Sequence, residues 1–312
     1  MNKKFLVAGL VGLMTLSVGC GSIKDTMADI TNTNKKQETV KISEQSTPEE
    51  IFEASAKAMV AQDVKAKMTM ELGMEINLAK KGIIFTTEGN VKQQFNQLTT
   101  GIIDYNDDND FIIATTKKDH TKYTATIAGE ETSEDETKDT EEYIVATQSE
   151  ANKYTNSEDT WETESISLDA AREELTIGTL DDFIENAKSV EVIGSQSIGS
   201  QNCITVKVVQ DWKKVMQPSE EDLEWAGSIN GDIEATLYFG EQDNYLYKID
   251  FEFSDEFNQQ FKDTFSEAML EEIDSNKAEC EVSQMNISMT YELYDWGVDN
   301  TIEVPQEALN AR

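Results

Sequence analysis

Between Val64 and Leu78 every second residue is apolar: Val64, Ala66, Met68, Met70, Leu72, Met74, Ile76 and Leu78. Lys65, Lys67, Thr69, Glu71, Glu75 and Asn77 fill most of the places between them. A period of two sends successive side chains to opposite faces of a strand, so the stretch predicts one β-strand with an oily face and a wet face. At about 3.3 Å per residue that strand is about 50 Å long, and a strand of such length has to curl or twist.

The rest of the chain supplies partners and cover for it. Thr47-Pro48-Glu49-Glu50 has a capping residue, a first-turn proline and two acids suited to the helix dipole, which predicts a helix from 48 to about 62. After the long strand, Ile83 to Phe95, Thr99 to Tyr105, Phe111 to Thr116 and Lys122 to Ala128 read as further antiparallel strands, with a turn at Asn106-Asp107-Asp108-Asn109. The acidic run from Glu130 to Glu142 reads as a solvated loop, followed by short strands at 143–146 and 152–156 and a polar stretch from Trp161. Leu168 to Lys188 reads as two short helices broken near Gly178, and Ile198 to Val209 returns to strand.

In the last third Ile233, Ala235, Leu237 and Phe239 alternate, a turn falls at 240–244, and Tyr245, Tyr247, Ile249, Phe251 and Phe253 alternate back. This predicts a hairpin. Phe257, Phe261, Phe265 and Met269 recur every four residues, one stripe of a helix over about 255–273. Met285, Ile287, Met289, Tyr291 and Leu293 form a last strand; Cys280 and Val282 have the opposite parity, which predicts a bulge near Ser283–Gln284. The order predicts an α+β fold: one strongly curved antiparallel sheet with a few helices packed on its concave face.

Charge narrows the function. With 61 acidic against 26 basic side chains the formal charge is −35, so a polybasic contact to nucleic acid or to anionic headgroups is excluded. The N-terminus has the order of an export signal: Lys3 and Lys4, an apolar run from Phe5, then small residues leading to Cys20. The run is shorter than the roughly 20 residues of a membrane span. The step Leu16-Ser17-Val18-Gly19-Cys20 resembles the bacterial lipobox, with the leucine one place early, and the resemblance implies acylation of Cys20 as the first mature residue. The expected organisation is a signal peptide at 1–19, a lipid-anchored tether at 20–46 and a single folded domain at 47–312, displayed on the extracytoplasmic face of a bacterial membrane. Cys203 and Cys280 remain, either as a disulfide or as two buried free thiols.

Thr47-Pro48-Glu49-Glu50-Ile51 leading to Ala58-Met59, the strand Met68-Thr69-Met70-Glu71-Leu72-Gly73-Met74, and the ending Ile302-Glu303-Val304-Pro305-Gln306-Glu307-Ala308-Leu309 are three telling segments. Together they resemble a group of uncharacterised Gram-positive lipoproteins related in fold to LolA and to the mycobacterial LppX and LprG lipoproteins. The resemblance implies a half-barrel closed by helices, with an apolar interior for acyl chains and no catalytic residues.

Methionine is flexible and polarizable, which suits a wall that packs against a chain of no fixed shape. Met68, Met70, Leu72 and Met74, Ile249 and Phe251, Phe257, Phe261 and Phe265, and Met285, Ile287 and Met289 are therefore the candidate ligand-lining residues; the bland reading is ordinary core. Catalytic, metal and cofactor sites find no support. His120 is the sole histidine; Asp104, Asn106, Asp108 and Asp110 have calcium-loop spacing but Asn109 replaces the required glycine; and Trp161, Trp212, Trp225 and Trp296 are scattered. The expected function is a surface lipoprotein that binds a lipid or other hydrophobic ligand without catalysis. The rival is an envelope interaction or adhesion module with a filled core that contacts protein or cell-wall glycan.

Overall fold

The computed structural model describes residues 41–59, 62–81, 86–107, 110–157, 160–175, 184, 187–212, 229–273 and 278–311. Helix α1 (Pro48–Met59) opens the body. A reciprocal cap fixes its start: the Thr47 N–H donates to Glu50 Oε2 at 2.9 Å and the Glu50 N–H donates to Thr47 Oγ1 at 3.3 Å. Strands β1 (Val64–Lys81), β2 (Thr86–Asp107), β3 (Asp110–Ile127), β4 (Glu130–Ala146), β5 (Ala151–Ser157) and β6 (Thr160–Ile166) follow. Helix α2 (Leu168–Leu175) precedes β7 (Ala187–Ile198), β8 (Gln201–Asp211), β9 (Asp232–Gly240) and β10 (Leu246–Phe253). Helix α3 (Asp255–Ile273), β11 (Ala278–Tyr294) and helix α4 (Gln306–Leu309) complete the chain.

All eleven strands lie in one sheet, in the order β6-β5-β4-β3-β2-β1-β11-β10-β9-β8-β7. Its pairings are antiparallel, and it curves as a half-barrel that does not close. Pairing of β1 with β11 joins the N-terminal meander to the C-terminal one. The bulge expected near Ser283 is present: Glu75 pairs with Gln284 and Ile76 with Val282, leaving Ser283 as the extra residue.

Three apolar clusters occupy the concave side. Under α1, Ile51 and Phe52 meet Val206, Leu237, Phe239 and Leu293, with the Phe52 and Phe239 rings edge-on at 5.3 Å. Under α3, Phe257, Phe261 and Phe265 meet Met70, Met74, Met285 and Met289. Under α2, Ala171 covers Phe111, Ile113 and Ile144. Gly231 lets β9 begin tight against α3: its φ is +131°, and a Cβ there would lie 2.6 Å from Phe257.

Several expectations need correction. Glu130–Glu142 is no loop but most of strand β4, because its backbone pairs with β3 from Ile127–Glu130 onward, whatever its side chains carry. The segments predicted separately at 83–95 and 99–105 are one strand from Thr86 onward, residues 83–85 lying outside those described, and those at 111–116 and 122–128 are one strand up to Ile127, since the polar residues between them stay in register. Lys188 belongs to β7, a strand the periodicity did not announce; the second short helix falls mostly on residues outside those described. The folded body begins before residue 47: Ile42 is 1% exposed within the α1 cluster, and Glu44 accepts a hydrogen bond from Ser195 Oγ at 2.5 Å. The Cys203–Cys280 bridge is not formed. Cys203 is a free, buried thiol on β8, and Cys280 lies on β11, three strands away, where about 4.8 Å per strand puts the backbones far beyond the roughly 7 Å a disulfide spans. The signal segment, Cys20, residues 21–40 of the tether and Trp225 lie outside the described residues.

Candidate functional site

Cross-strand register turns the concave face into rows. One runs Ile249–Tyr291–Met68–Thr99–Lys117 from β10 to β3. The next runs Phe251–Met289–Met70–Gln97–Asp119, and then Ile287–Leu72–Phe95–Thr121. A deeper row runs Met285–Met74–Gln93–Tyr123. Each begins in oil on β11 or β10 and ends in polar side chains on β3. Strand β2 is the seam.

Exposure along these rows separates the candidate lining residues into two groups. Met70, Leu72, Met74, Met285 and Met289 are buried, as are Ile249 against α1 and Phe257, Phe261 and Phe265 on α3. Phe257 and Phe261 are fully buried, their rings 6.0 Å apart, and Trp212 stands edge-on to Phe257 at 4.8 Å. Met68, Phe251 and Ile287 are half-buried, together with Tyr291, which the alternation included without assigning it to the wall. All four pack against the cluster under α3, and Phe251 and Tyr291 reach the cluster under α1 as well. They form an apolar floor beside α3. Burial pushes the Tyr291 hydroxyl above its ordinary pKa, so the floor carries no charge near neutrality.

On the far side of the seam the groups satisfy one another. Gln97 Nε2 donates to Asp119 Oδ1 at 2.9 Å, and Lys117 Nζ lies 3.3 Å from Asp119 Oδ2. Lys153 Nζ lies 2.9 Å from Glu142 Oε2. Sequence reasoning missed these residues and the two buried glutamines, Gln93 and Gln97. The signal was present: Val91, Gln93, Phe95 and Gln97 alternate with exposed residues, so both amides share the core parity of β2.

The other sequence candidates disperse. His120 Nε2 is 2.7 Å from Asp135 Oδ1 on the β3–β4 pair. Trp161 packs on Tyr143 at 5.9 Å, Trp212 is core, and Trp296 stacks on Tyr245 at 5.0 Å, so these three form no common platform. Asp104 and Asn106 lie in the last residues of β2 and Asp110 opens β3, with Asp107 paired to Asp110, while Asp108 and Asn109 lie outside the described residues. Among the described residues no group of three His, Cys, Asp or Glu side chains is arranged to hold a metal ion, and no helix is long and apolar enough to cross a membrane. A cleft of about 680 Å³ lies where the β7–β8 and β9–β10 turns meet the end of β11, lined by residues that include Tyr245, Tyr247, Trp296, Asp243 and Asp295. Asp243 there is engaged by the Tyr247 hydroxyl at 2.6 Å and the Tyr245 N–H at 3.2 Å. No candidate lining residue belongs to it.

No protein-family profile and no curated protein matches the chain. Solved structures do. The chain is similar to LprF of Mycobacterium bovis, with 13% identity over 84% of this chain and 98% of that one, at a TM-score of 0.35. It is similar to the Mycobacterium tuberculosis lipoprotein LppX, with 8% identity over 82% and 100% of the two chains, at a TM-score of 0.34. A LolA superfamily protein of Nitrosomonas europaea is 8% identical over 82% and 96%, at a TM-score of 0.20. The half-barrel described above rests on the strand pairing of this chain itself.

Proposed function

We propose that the protein is a non-catalytic carrier, tethered through acylated Cys20 to the extracytoplasmic face of the membrane, that holds a lipid or other hydrophobic ligand on its concave face. One observation carries the reading: Met68, Phe251, Ile287 and Tyr291 stay half-buried on an apolar floor beside the packed cluster under α3, with Phe251 and Tyr291 reaching the cluster under α1. Leaving large apolar side chains partly wet forgoes about 25 cal/mol for every Å² left exposed, so a surface kept that way suits an apolar guest. The buried Met70, Leu72, Met74, Met285 and Met289 would bound the guest from below, while Phe257 and Phe261 serve as filled core.

The test uses the full-length chain carrying Cys20→Ser, sprayed under native conditions and titrated with a fluorescent fatty acid. Co-purifying lipid mass, or saturable and displaceable probe binding lost on Met68→Glu, supports the carrier reading. A clean unliganded mass with no probe uptake removes it. The complete burial of Phe257 and Phe261 favours the second reading, a filled module that contacts protein or glycan; silent lipid assays with specific retention on cell-wall glycan would support that one.

A further inference from the structure

Gln93 sits where an oily half-barrel has least use for an amide. It is 3% exposed and belongs to the concave face of β2, between Val91 and Phe95 on its own strand, with Met74 opposite on β1 and Tyr123 opposite on β3. Val91, Phe95 and Met74 are members of the buried cluster under α3, and Tyr123 packs against that cluster. Gln97, one glutamine further along the same face, answers the problem of burial by bonding Asp119. Among the described residues the buried Gln93 Oε1 atom has no hydrogen-bond partner. A buried amide oxygen left so is expensive, because its desolvation is not offset, and a hydrocarbon side chain of similar size would avoid the cost.

We infer that Gln93 is the polar anchor of the ligand site, and that its ligand is a neutral amphiphile with a hydroxyl beside its acyl chain, such as a monoacylglycerol. This rests on the carrier reading and adds the headgroup chemistry. The row geometry gives the amphiphile its direction. From Gln93 the face runs inward to the buried Met74 and Met285, and outward to half-buried Tyr123 and exposed Glu134, about 5 Å and 10 Å away at one and two strand spacings. A hydroxyl donating to Gln93 Oε1 leaves its tail toward the methionines and the remainder of its head toward water. At that oxygen the head group must bring a donor, since an amide oxygen accepts and cannot donate, and an ionised carboxylate has none to offer it. The half-buried lysines across the seam are already held by Asp119 and Glu142.

The experiment compares three competitors with one oleoyl chain against a bound fluorescent fatty acid, on the full-length Cys20→Ser chain at pH 8. They are 1-monooleoylglycerol, methyl oleate and oleate. The glyceride is expected to displace the probe about tenfold more effectively than methyl oleate, the scale of one satisfied buried hydrogen bond, with oleate no better than the ester. Gln93→Met, close in shape and without the amide, should bring the glyceride-to-ester ratio within about twofold of one and raise the unliganded Tm by a few degrees. Equal displacement by glyceride and ester in the parent chain overturns the inference and leaves the carrier reading standing. So does a ratio that survives Gln93→Met, which would mean the amide oxygen is served by solvent alone, or oleate binding tightest, which would point to the lysines. If none of the three displaces the probe, the carrier reading falls with it.

Discussion

The two sides of the seam share a backbone plan and differ only in what occupies alternate positions. On β1 and β11 the concave positions are Met70, Leu72, Met74, Met285 and Met289, and a helix of nineteen residues lies over them. On β3 and β4 the equivalent positions hold Lys117, Asp119, Thr121, Lys138, Glu136 and Glu134, and they are half-buried or exposed. Strand length does not distinguish the sides: β1, β2, β3 and β4 span 18, 22, 18 and 17 residues. Backbone pairing alone therefore sustains a long strand, while packing a helix on it requires apolar residues at every second place. The first ten residues of β4, Glu130–Asp139, are exposed, and pairing with β5 begins at half-buried Thr140, so the acidic stretch is also an edge. A charged edge discourages another chain from adding to the sheet.

The sharpest way to break this comparison is to truncate one residue on each side. Phe261→Ala removes a ring with no exposure from the cluster under α3 and should cost about 3–5 kcal/mol, read from urea unfolding midpoints. Thr121→Ala, on β3, should stay within about 0.5 kcal/mol. Similar costs at both positions would mean that the polar side is packed as firmly as the apolar one.

The same division explains how much was legible in the sequence. Periodicity reports burial, so the elements with one oily face could be read directly: β1, the β9–β10 hairpin, α3 with its phenylalanine stripe, and the change of parity at Ser283. The acidic part of β4, Glu130–Asp139, was illegible because its partner supplies backbone hydrogen bonds while its side chains are exposed on both faces; its end at 143–146 was read as strand. Strand β7 failed similarly, an edge strand with mostly exposed side chains and two register irregularities. Ile42 was missed because a single anchoring residue has no period. At the site the apolar wall was legible from alternation. Gln93 and Gln97 were not, since polar residues are discounted when a core face is sought, although their parity matched Val91 and Phe95.

Alkali should act on the apolar side first. Burial, with the Asp243 charge adding to it, pushes the Cys203 thiol up to about 11, and burial with the Asp250 hydrogen bond pushes the Tyr238 hydroxyl up to about 12. Both groups are on β8 and β9, which carry the α1 cluster on their other face. Their folded values exceed the unfolded ones, so the folded state holds these protons more tightly. That stabilisation is complete below about pH 9 and is lost as pH rises through 11 and 12. Urea midpoints should be level from pH 7 to 9 and fall beyond it, and Cys203 should resist iodoacetamide at pH 8 until the chain is unfolded. Rapid alkylation of the native protein at pH 8 would show the thiol to be open.

The smallest effect belongs to the polar side and decides what its charges are for. Lys117 and Asp119 lie on one face of β3, their side chains 30% and 18% exposed, with Asp119 also bonded by Gln97. An ion pair this wet contributes about 0–1 kcal/mol, since water screens the attraction and ordering two side chains offsets part of it. Lys117→Met should thus lower stability by no more than about 1 kcal/mol, because Asp119 keeps its amide donor. The effect should shrink further in 1 M salt, where the screening length is about 3 Å. If the substitution instead stabilises the protein, the seam at β2 is maintained against the interest of folding. That outcome would make the boundary between oil and water a property kept for something other than folding.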